Sequence, residues 1–255
     1  MQTSELVQKW IDETRASKEV APEEPISRAY DNKLVAWIDI LGMRERMKTE
    51  ENAEEIFSCM ETIQNFVEVS CESLVAKNLL NFLQISDGFI IVAELDTINE
   101  FCEILCKIQW NVLIHQNMAI RGAVTAGKVS MSDDSRLIIG PGFIEAFVME
   151  SENAIFPRIL FASEIRDHIP KEKISFKYIQ KDSDNFLYLD FFRYHIDINK
   201  LSKKKLTHVM KTQGVIALLE NSYNKYATSH KKIAQKYGWL ISKLNEHDIQ
   251  VRLTR

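Results

Sequence analysis

The feature that most constrains this chain is a single carboxylate inside an otherwise apolar run. Residues Leu34–Met43 read Leu-Val-Ala-Trp-Ile-Asp-Ile-Leu-Gly-Met, and Asp39 is the acidic residue. Nearly continuous apolar composition over this length predicts a β-strand that is covered on both faces. A carboxylate in such a strand is costly unless a cation, a metal ion or a shifted pKa compensates it. Asp39 is therefore either a metal ligand or a structural carboxylate that backbone amides or an arginine satisfy.

A second acidic residue lies where two further apolar runs meet. Ser86-Asp87-Gly88 joins the runs Phe82–Ile85 and Phe89–Val92, and Asp-Gly is typical of tight β-hairpins. Taken alone, Asp87 indicates a turn more readily than a metal site. Paired carboxylates with few other protein ligands suit Mg²⁺ or Mn²⁺ held together with substrate phosphates. We expect Asp39 and Asp87 to face each other and to hold two divalent metal ions.

Composition limits the classes of protein to consider. The 255 residues are 45% hydrophobic and 27% charged, which is typical of a soluble globular protein with one large core. A net charge of -4 gives no reason to expect nonspecific nucleic-acid binding. The first residues lack a secretory signal pattern, and no apolar run reaches the roughly 18 residues that a membrane span needs. We therefore expect a cytoplasmic protein without membrane contact.

The four cysteines lie on segments with helical periodicity. Their spacing includes no His or Cys partner typical of a zinc site, which favours buried free thiols. These cysteines are Cys59, Cys71, Cys102 and Cys106.

Hydrophobic periodicity predicts an α+β fold with helical additions at both ends. Residues 1–29 are expected to form an N-terminal helix and linker, 30–165 the core, and 166–255 a C-terminal strand with a helical extension. The order of elements in the core fits a ferredoxin-like sandwich, in which helices cover a mostly antiparallel sheet. In that fold the first strand and the first hairpin are neighbours, so Asp39 and Asp87 can converge. The predicted elements are a helix at 3–17, a strand at 33–41, helical segments within 50–77, a hairpin at 80–94, a helix at 97–116, a strand at 118–129, a turn at 133–135, a helix at 143–153, strands at 158–161 and 186–192, and helices at 203–226 and 231–245.

Four motifs of this chain resemble those of class III nucleotidyl cyclases. They occur in the family's order and spacing across residues 34–151. The motifs are the strand Leu34–Met43, which contains Asp-Ile-x-Gly, the hairpin Ile85-Ser86-Asp87, the strand Arg121–Gly127, which reads Arg-Gly-Ala-Val-Thr-Ala-Gly, and the segment Ile139–Ser151, which begins Ile-Gly-Pro-Gly.

Four positions depart from the family pattern. Ile144 and Val148 stand where class III cyclases have an Asn and an Arg that contact the ribose and the transition-state phosphate. Leu83 and Leu137 stand where the family has the Lys and Asp that recognise adenine, and neither side chain can form a hydrogen bond with a base. The sequence therefore excludes an ordinary adenylyl or guanylyl cyclase.

A more particular resemblance is to the Pycsar pyrimidine cyclases of bacterial antiphage defence. It extends over the Ser-Asp hairpin, the Arg-Gly strand start, Phe156-Pro157-Arg158-Ile159 and the tail segment Lys236–Trp239. The resemblance implies conversion of CTP or UTP to the 3′,5′-cyclic monophosphate plus pyrophosphate. It also implies a homodimer with sites at the interface, and an effector that responds to the cyclic product.

Site residues follow from the same resemblance. Asp39, Ile40 and Asp87 match the metal-binding positions, and Arg121 and Arg158 are the arginines available to stabilise phosphate charge. Arg121 has an alternative interpretation, in which it only pairs with an acidic residue. The expected nucleotide-binding residues are Leu41, Gly42, Met43, Leu83, Ser86 and Leu137.

Two alternative functions stay open at the level of sequence. A degenerate cyclase-like module that binds a nucleotide without turnover is favoured by Ile144 and Val148, whereas retention of both aspartates favours an enzyme. A metal-dependent phosphohydrolase is the third candidate. Cytosine and uracil both remain possible bases, since that choice depends on contacts near Leu83, Gln84 and Leu137.

Overall fold

A computed structural model describes residues 29–43, 47, 53–132 and 137–247. The helix predicted at 3–17 with its linker and the turn predicted at 133–135 lie outside these residues.

Strand β1, Asp31–Leu41, lies inside the sheet and pairs with an antiparallel strand on each side. Its even-numbered residues from Leu34 to Ile40 are buried in the main core. Val35 and Trp37 point to the opposite face, where they contribute to a second, smaller apolar cluster. The prediction that this strand is covered on both faces is confirmed.

The remaining strands extend one mixed sheet on both sides of β1. Its order is β2-β3-β1-β4-β6-β8-β7, with β5 paired to β4. Strands β4 and β6 pair in parallel, and the other described pairs are antiparallel. The strands are β2 Leu80–Ile85, β3 Gly88–Ala93, β4 Ala119–Met131, β5 Ile138–Ile139, β6 Ile159–Phe161, β7 Ile179–Lys181 and β8 Leu187–Leu189.

Helices cover the two faces unequally. Helix α1, Ala53–Val75, and helix α2, Ile98–Gln116, contribute to the main core. Helix α3, Pro141–Asn153, packs over the smaller cluster through Ala146 and Phe143. None of the described helices is long and apolar enough to cross a membrane. The helices are α1 Ala53–Val75, α2 Ile98–Gln116, α3 Pro141–Asn153, α4 Ile165–His168, α5 Phe191–Ile198, α6 Lys203–Thr212, α7 Val215–Tyr226 and α8 Lys231–Glu246, with short 3₁₀ segments at Leu95–Thr97 and Lys171–Lys173.

The predicted class is confirmed: the structure is a mixed α/β fold in which helices cover a sheet with mainly antiparallel pairing. The four cysteines are buried thiols outside any disulfide bond, as expected. Two element predictions are wrong in detail. Gly214 adopts a left-handed φ of 73° and divides the helix predicted at 203–226. Asp190 accepts a hydrogen bond from the Arg193 amide, so a helix begins at Phe191 inside the strand predicted at 186–192.

Helix α3 approaches the sheet at a contact between two glycines. A Cβ atom on Gly127 would lie 2.9 Å from the Cα of Gly142, which is backbone and cannot rotate away. Beside them, the Thr125 hydroxyl donates a hydrogen bond to the Gly142 carbonyl at 3.0 Å. Close packing of α3 therefore depends on the absence of a side chain at Gly127.

We expect Gly127→Ala to destabilise the fold by about 1–3 kcal/mol, because the added methyl forces α3 away from β4. Urea denaturation followed by circular dichroism measures this change. Lys128→Ala, at an exposed neighbour on the same strand, is the control and should have little effect. Equal stability of Gly127→Ala and wild type would contradict the close approach of helix and sheet.

Candidate active site

Asp39 lies near the end of β1, opposite Gly88 on β3 and opposite Arg121 on β4. The Nε of Arg121 donates a hydrogen bond to Oδ2 of Asp39 at 3.0 Å, and each side chain is 24% exposed. Burial raises the pKa of Asp39, the Arg121 hydrogen bond opposes that rise, and the nearby charge of Asp87 adds to it. In this structure an arginine is thus the cation that compensates the carboxylate of the apolar strand.

Asp87 lies in the two-residue loop between β2 and β3. Strand pairing closes at Ile85 and Gly88, so the loop is Ser86–Asp87, with Ser86 at a φ of 57°. The amide of Ile40 donates a hydrogen bond to the Asp87 carbonyl at 3.3 Å. This bond ties the loop to β1 directly beside Asp39, so the structure brings the two predicted aspartates together.

Glu150 on α3 is a third carboxylate of the site, and it was not predicted from the sequence. It is 3% exposed, and its Oε1 lies 2.7 Å from Nε of Arg121. Because the single Nε–H of Arg121 donates to Asp39, the contact with Glu150 is ionic and not a hydrogen bond. Burial raises the pKa of Glu150, while Arg121 and a hydrogen bond from the Trp37 side chain oppose that rise.

Lys236 on α8 completes the group, and it too was not assigned a role from sequence. The ammonium is half-buried, and burial lowers its pKa. The like charge of Arg121 lowers the pKa further, whereas the carboxylates of Asp39 and Glu150 oppose that change. We call Asp39, Asp87, Arg121, Glu150 and Lys236 the Asp39 cluster.

Arg158 takes a different position from the one expected. Its side chain is fully buried, and its guanidinium pairs with Asp182 and Asp184 of the β7–β8 hairpin. The guanidinium carbon also lies 5.2 Å from the centre of the Phe156 ring. Within the described residues, no hydrogen bond or ion pair joins Arg158 to the Asp39 cluster. The structure therefore brings Arg121, but not the guanidinium of Arg158, to the two aspartates.

The residues expected to contact a nucleotide differ in accessibility. Gly42 is exposed, with a φ of 90°, where the chain leaves β1. Ser86 is exposed in the hairpin loop, and Leu137 is 54% exposed beside β5. Leu41 and Leu83 are half-buried.

Two further expected site residues have buried side chains. Met43 is fully buried, and Ile40 is 2% exposed with its side chain in the main core. A ligand at Ile40 or Met43 would therefore contact the backbone.

The chemistry of the donors fits a divalent metal only in part. Asp39 and Asp87 offer hard carboxylate oxygens, which suit Mg²⁺ and Mn²⁺. Among the described residues, however, no three His, Cys, Asp or Glu side chains are grouped so that they could hold a metal ion. Ions at this site would therefore need further ligands from water or from a bound phosphate, which is compatible with ions that arrive together with a nucleotide.

A separate cleft of about 430 Å³ lies beside α8, between Tyr188, Arg193 and Lys243. It shares no residue with the Asp39 cluster. Its charged groups largely pair with one another, since Lys243 binds Glu246 at 3.0 Å and His247 lies 3.9 Å from Asp190. The Asp39 cluster is therefore the stronger candidate for a site of chemistry.

Comparison with known proteins finds similar solved structures among nucleotidyl cyclases. No protein-family model and no curated protein matches the chain. One similar structure is a bacterial light-regulated adenylyl cyclase, 11% identical over 73% of this chain and 64% of that chain, with a TM-score of 0.47. A guanylate cyclase domain from Catenaria anguillulae in complex with GTP is 12% identical over 64% of this chain and 96% of that domain, with a TM-score of 0.47. A guanylyl cyclase domain from Blastocladiella emersonii is 15% identical over 64% of this chain and 96% of that domain, with a TM-score of 0.48.

Glu150→Gln should change the pH dependence of stability. Because the raised pKa makes folded Glu150 hold its proton more tightly than the unfolded chain does, wild-type stability falls as pH rises from the ordinary value of 4.5 to the raised pKa. Glutamine does not titrate, so the variant should gain stability relative to wild type as pH rises above 4.5 toward the raised pKa. Denaturant titrations at several pH values measure this difference. Glu152→Gln, exposed on the same helix, is the control; parallel wild-type and Glu150→Gln curves would contradict the assigned burial.

Proposed function

We propose that this chain is a nucleotidyl cyclase that converts CTP or UTP to the 3′,5′-cyclic monophosphate and pyrophosphate. The observation that carries the proposal is the convergence of Asp39 and Asp87 at the ends of neighbouring strands, within a half-buried group that also holds Arg121 and Lys236. Such a group supplies anionic oxygens for metal ions and cations for a polyphosphate at one place.

The proposed reaction is an intramolecular phosphoryl transfer. The ribose 3′-oxygen forms a bond to the α-phosphorus in line, the bond to the bridging oxygen of pyrophosphate breaks, and the hydroxyl proton is lost to solvent. Two divalent ions would acidify the hydroxyl and neutralise the phosphates. Asp39, Asp87 and the backbone at Ile40 are the residues proposed to hold them. The rest of the protein's contribution is positioning and charge neutralisation.

Arg121 has to change partners for this chemistry. It now donates to Asp39 while it contacts Glu150 at 2.7 Å. We expect Arg121 to keep Glu150 as its counter-ion when substrate binds, which frees the Asp39 carboxylate. Its other guanidinium nitrogens can then contact phosphate, in the charge-assisted geometry that arginine favours. Glu150 is thus proposed as the positioning residue for Arg121.

The proposed pyrimidine preference depends on what the base can contact. Leu83 is half-buried in the cluster around Trp37, and Leu137 is exposed. Both side chains are apolar, so neither can form the hydrogen bonds by which a purine cyclase recognises adenine. The indole of Trp37 lies 5.6 Å from the Phe147 ring, and Phe147 is 46% exposed. Trp37 joins these rings to the Asp39 cluster, because its side chain donates a hydrogen bond to Glu150. The rings offer apolar surface to a planar base.

A specific observation also favours a second candidate, a nucleotide-binding module without turnover. Arg121 already satisfies Asp39, and Ile144 and Val148 present apolar side chains that are 59% and 40% exposed. A module of this kind would bind a nucleotide but release no pyrophosphate. Turnover by the wild-type protein therefore separates the two candidates.

Asp39→Asn and Asp87→Asn should each lower pyrophosphate release from CTP and UTP by several powers of ten, because each removes a proposed metal ligand. Thermal melting should show that both variants stay folded. Asp167→Asn, at an exposed position away from the cluster, is the matched control and should keep full activity. Near-normal activity of Asp39→Asn would show that the proposed mechanism is wrong.

The proposed biological setting is a homodimer whose cyclic product is a second messenger of antiphage defence, recognised by a separate effector protein. An isologous dimer would present two equivalent sites. Sedimentation velocity should show a dimer of the wild-type chain at micromolar concentration. A monomer that is fully active would contradict the proposal of shared sites.

A further inference from the structure

We infer that Lys236 binds the polyphosphate group of the substrate, which makes the C-terminal helix α8 part of the active site. This inference rests on the proposed function, because it assigns a substrate contact within the same site.

Lys236 is a half-buried cation without a direct partner. No hydrogen bond or ion pair joins its ammonium to another described residue, although the charges of Asp39, Glu150 and Arg121 all act on it. Arg121, in contrast, is held by both carboxylates. Among the described residues, Lys236 is therefore a cation of the Asp39 cluster that already has its donors available to a ligand.

A buried network fixes the helix that carries Lys236. The indole Nε1 of Trp239 donates a hydrogen bond to Asp182 at 2.7 Å, and Lys243 lies 3.4 Å from the same carboxylate. Arg158, fully buried, pairs with the same Oδ2 of Asp182 that accepts the Trp239 hydrogen bond. Lys236 precedes Trp239 by three residues, so the two side chains project from neighbouring positions on one face of the helix.

A short segment links this face to the aspartates. Arg121 Nη1 donates to the Ala154 carbonyl at 3.4 Å, and the Phe156 ring stacks on Trp239 with a centroid distance of 6.2 Å. Residues 154–156 thus contact Arg121 at one end and α8 at the other. The network therefore holds the helix that carries Lys236 close to Arg121, where the charges of the Asp39 cluster act on the ammonium.

The chemistry of the ammonium points to phosphate as its ligand. Lysine offers a compact positive charge with three donors, which matches phosphate oxygens that lie in several directions. A nucleoside triphosphate brings several negative charges toward Asp39, Asp87 and Glu150, so a cation in addition to Arg121 and the proposed metal ions would reduce the remaining repulsion. A half-buried ammonium would contact these oxygens with less solvent screening than a surface lysine has.

The test measures binding of inorganic tripolyphosphate with Mg²⁺ by calorimetry, alongside kcat and KM for CTP and UTP. Lys236→Met should weaken tripolyphosphate binding about tenfold or more, since a charge-assisted contact is lost. Lys236→Arg should restore most of the affinity. Lys232→Met, exposed on the same helix, is the control and should bind as wild type does.

Unchanged tripolyphosphate affinity in Lys236→Met would overturn the inference, even if the wild type is an active cyclase. Failure of the wild type to convert any nucleotide would instead overturn the proposed function, and the tripolyphosphate comparison would still decide the role of Lys236. Melting temperatures of the variants show whether a loss of binding comes from loss of the fold. A folded Lys236→Met protein with weakened binding supports the inference.

Discussion

The site depends on one interaction, the guanidinium of Arg121 between the carboxylates of Asp39 and Glu150. It joins β1, β4 and α3, and it supplies the positive charge without which two largely buried carboxylates would be costly. Burial raises the pKa of Asp39 and of Glu150, so keeping both carboxylates ionised in the folded protein costs free energy. Apolar side chains at these two positions would avoid that cost. Retained cost of this kind is typical of functional sites.

The C-terminal part of the chain contributes to the same structure. Strands β7 and β8 extend the sheet that contains β1, and their hairpin carries Asp182, which holds Arg158, Trp239 and Lys243 together. Arg158 therefore has a structural explanation that does not involve phosphate. Asp182 and the Phe156 ring contact α8, and through α8 they determine the position of Lys236.

Local patterns predicted much of the fold and two residues of the cluster, and the resemblance to cyclases added Arg121. An apolar run with one carboxylate identified Asp39, and a turn between apolar runs identified Asp87. Glu150 could have been predicted from the sequence as a buried acid, since it follows Gly142 and Ala146 at helical spacing on the buried side of α3. Lys236 belongs to the tail segment Lys236–Trp239 of the resemblance, but that segment did not indicate a role for it, because its position at the site depends on tertiary packing of a helix far away in sequence. The division of one predicted helix at Gly214 and the start of another helix after Asp190 likewise depend on backbone geometry and capping. Hydrophobic periodicity does not detect either feature.

The central claim is that the Asp39 cluster cyclises a pyrimidine nucleoside triphosphate. The most direct measurement is mass identification of products after incubation with an equal mixture of ATP, GTP, CTP and UTP and Mn²⁺. We expect cyclic CMP or cyclic UMP together with pyrophosphate. Cyclic AMP or cyclic GMP as the main product, linear nucleotides with free phosphate, or no product at all would contradict it.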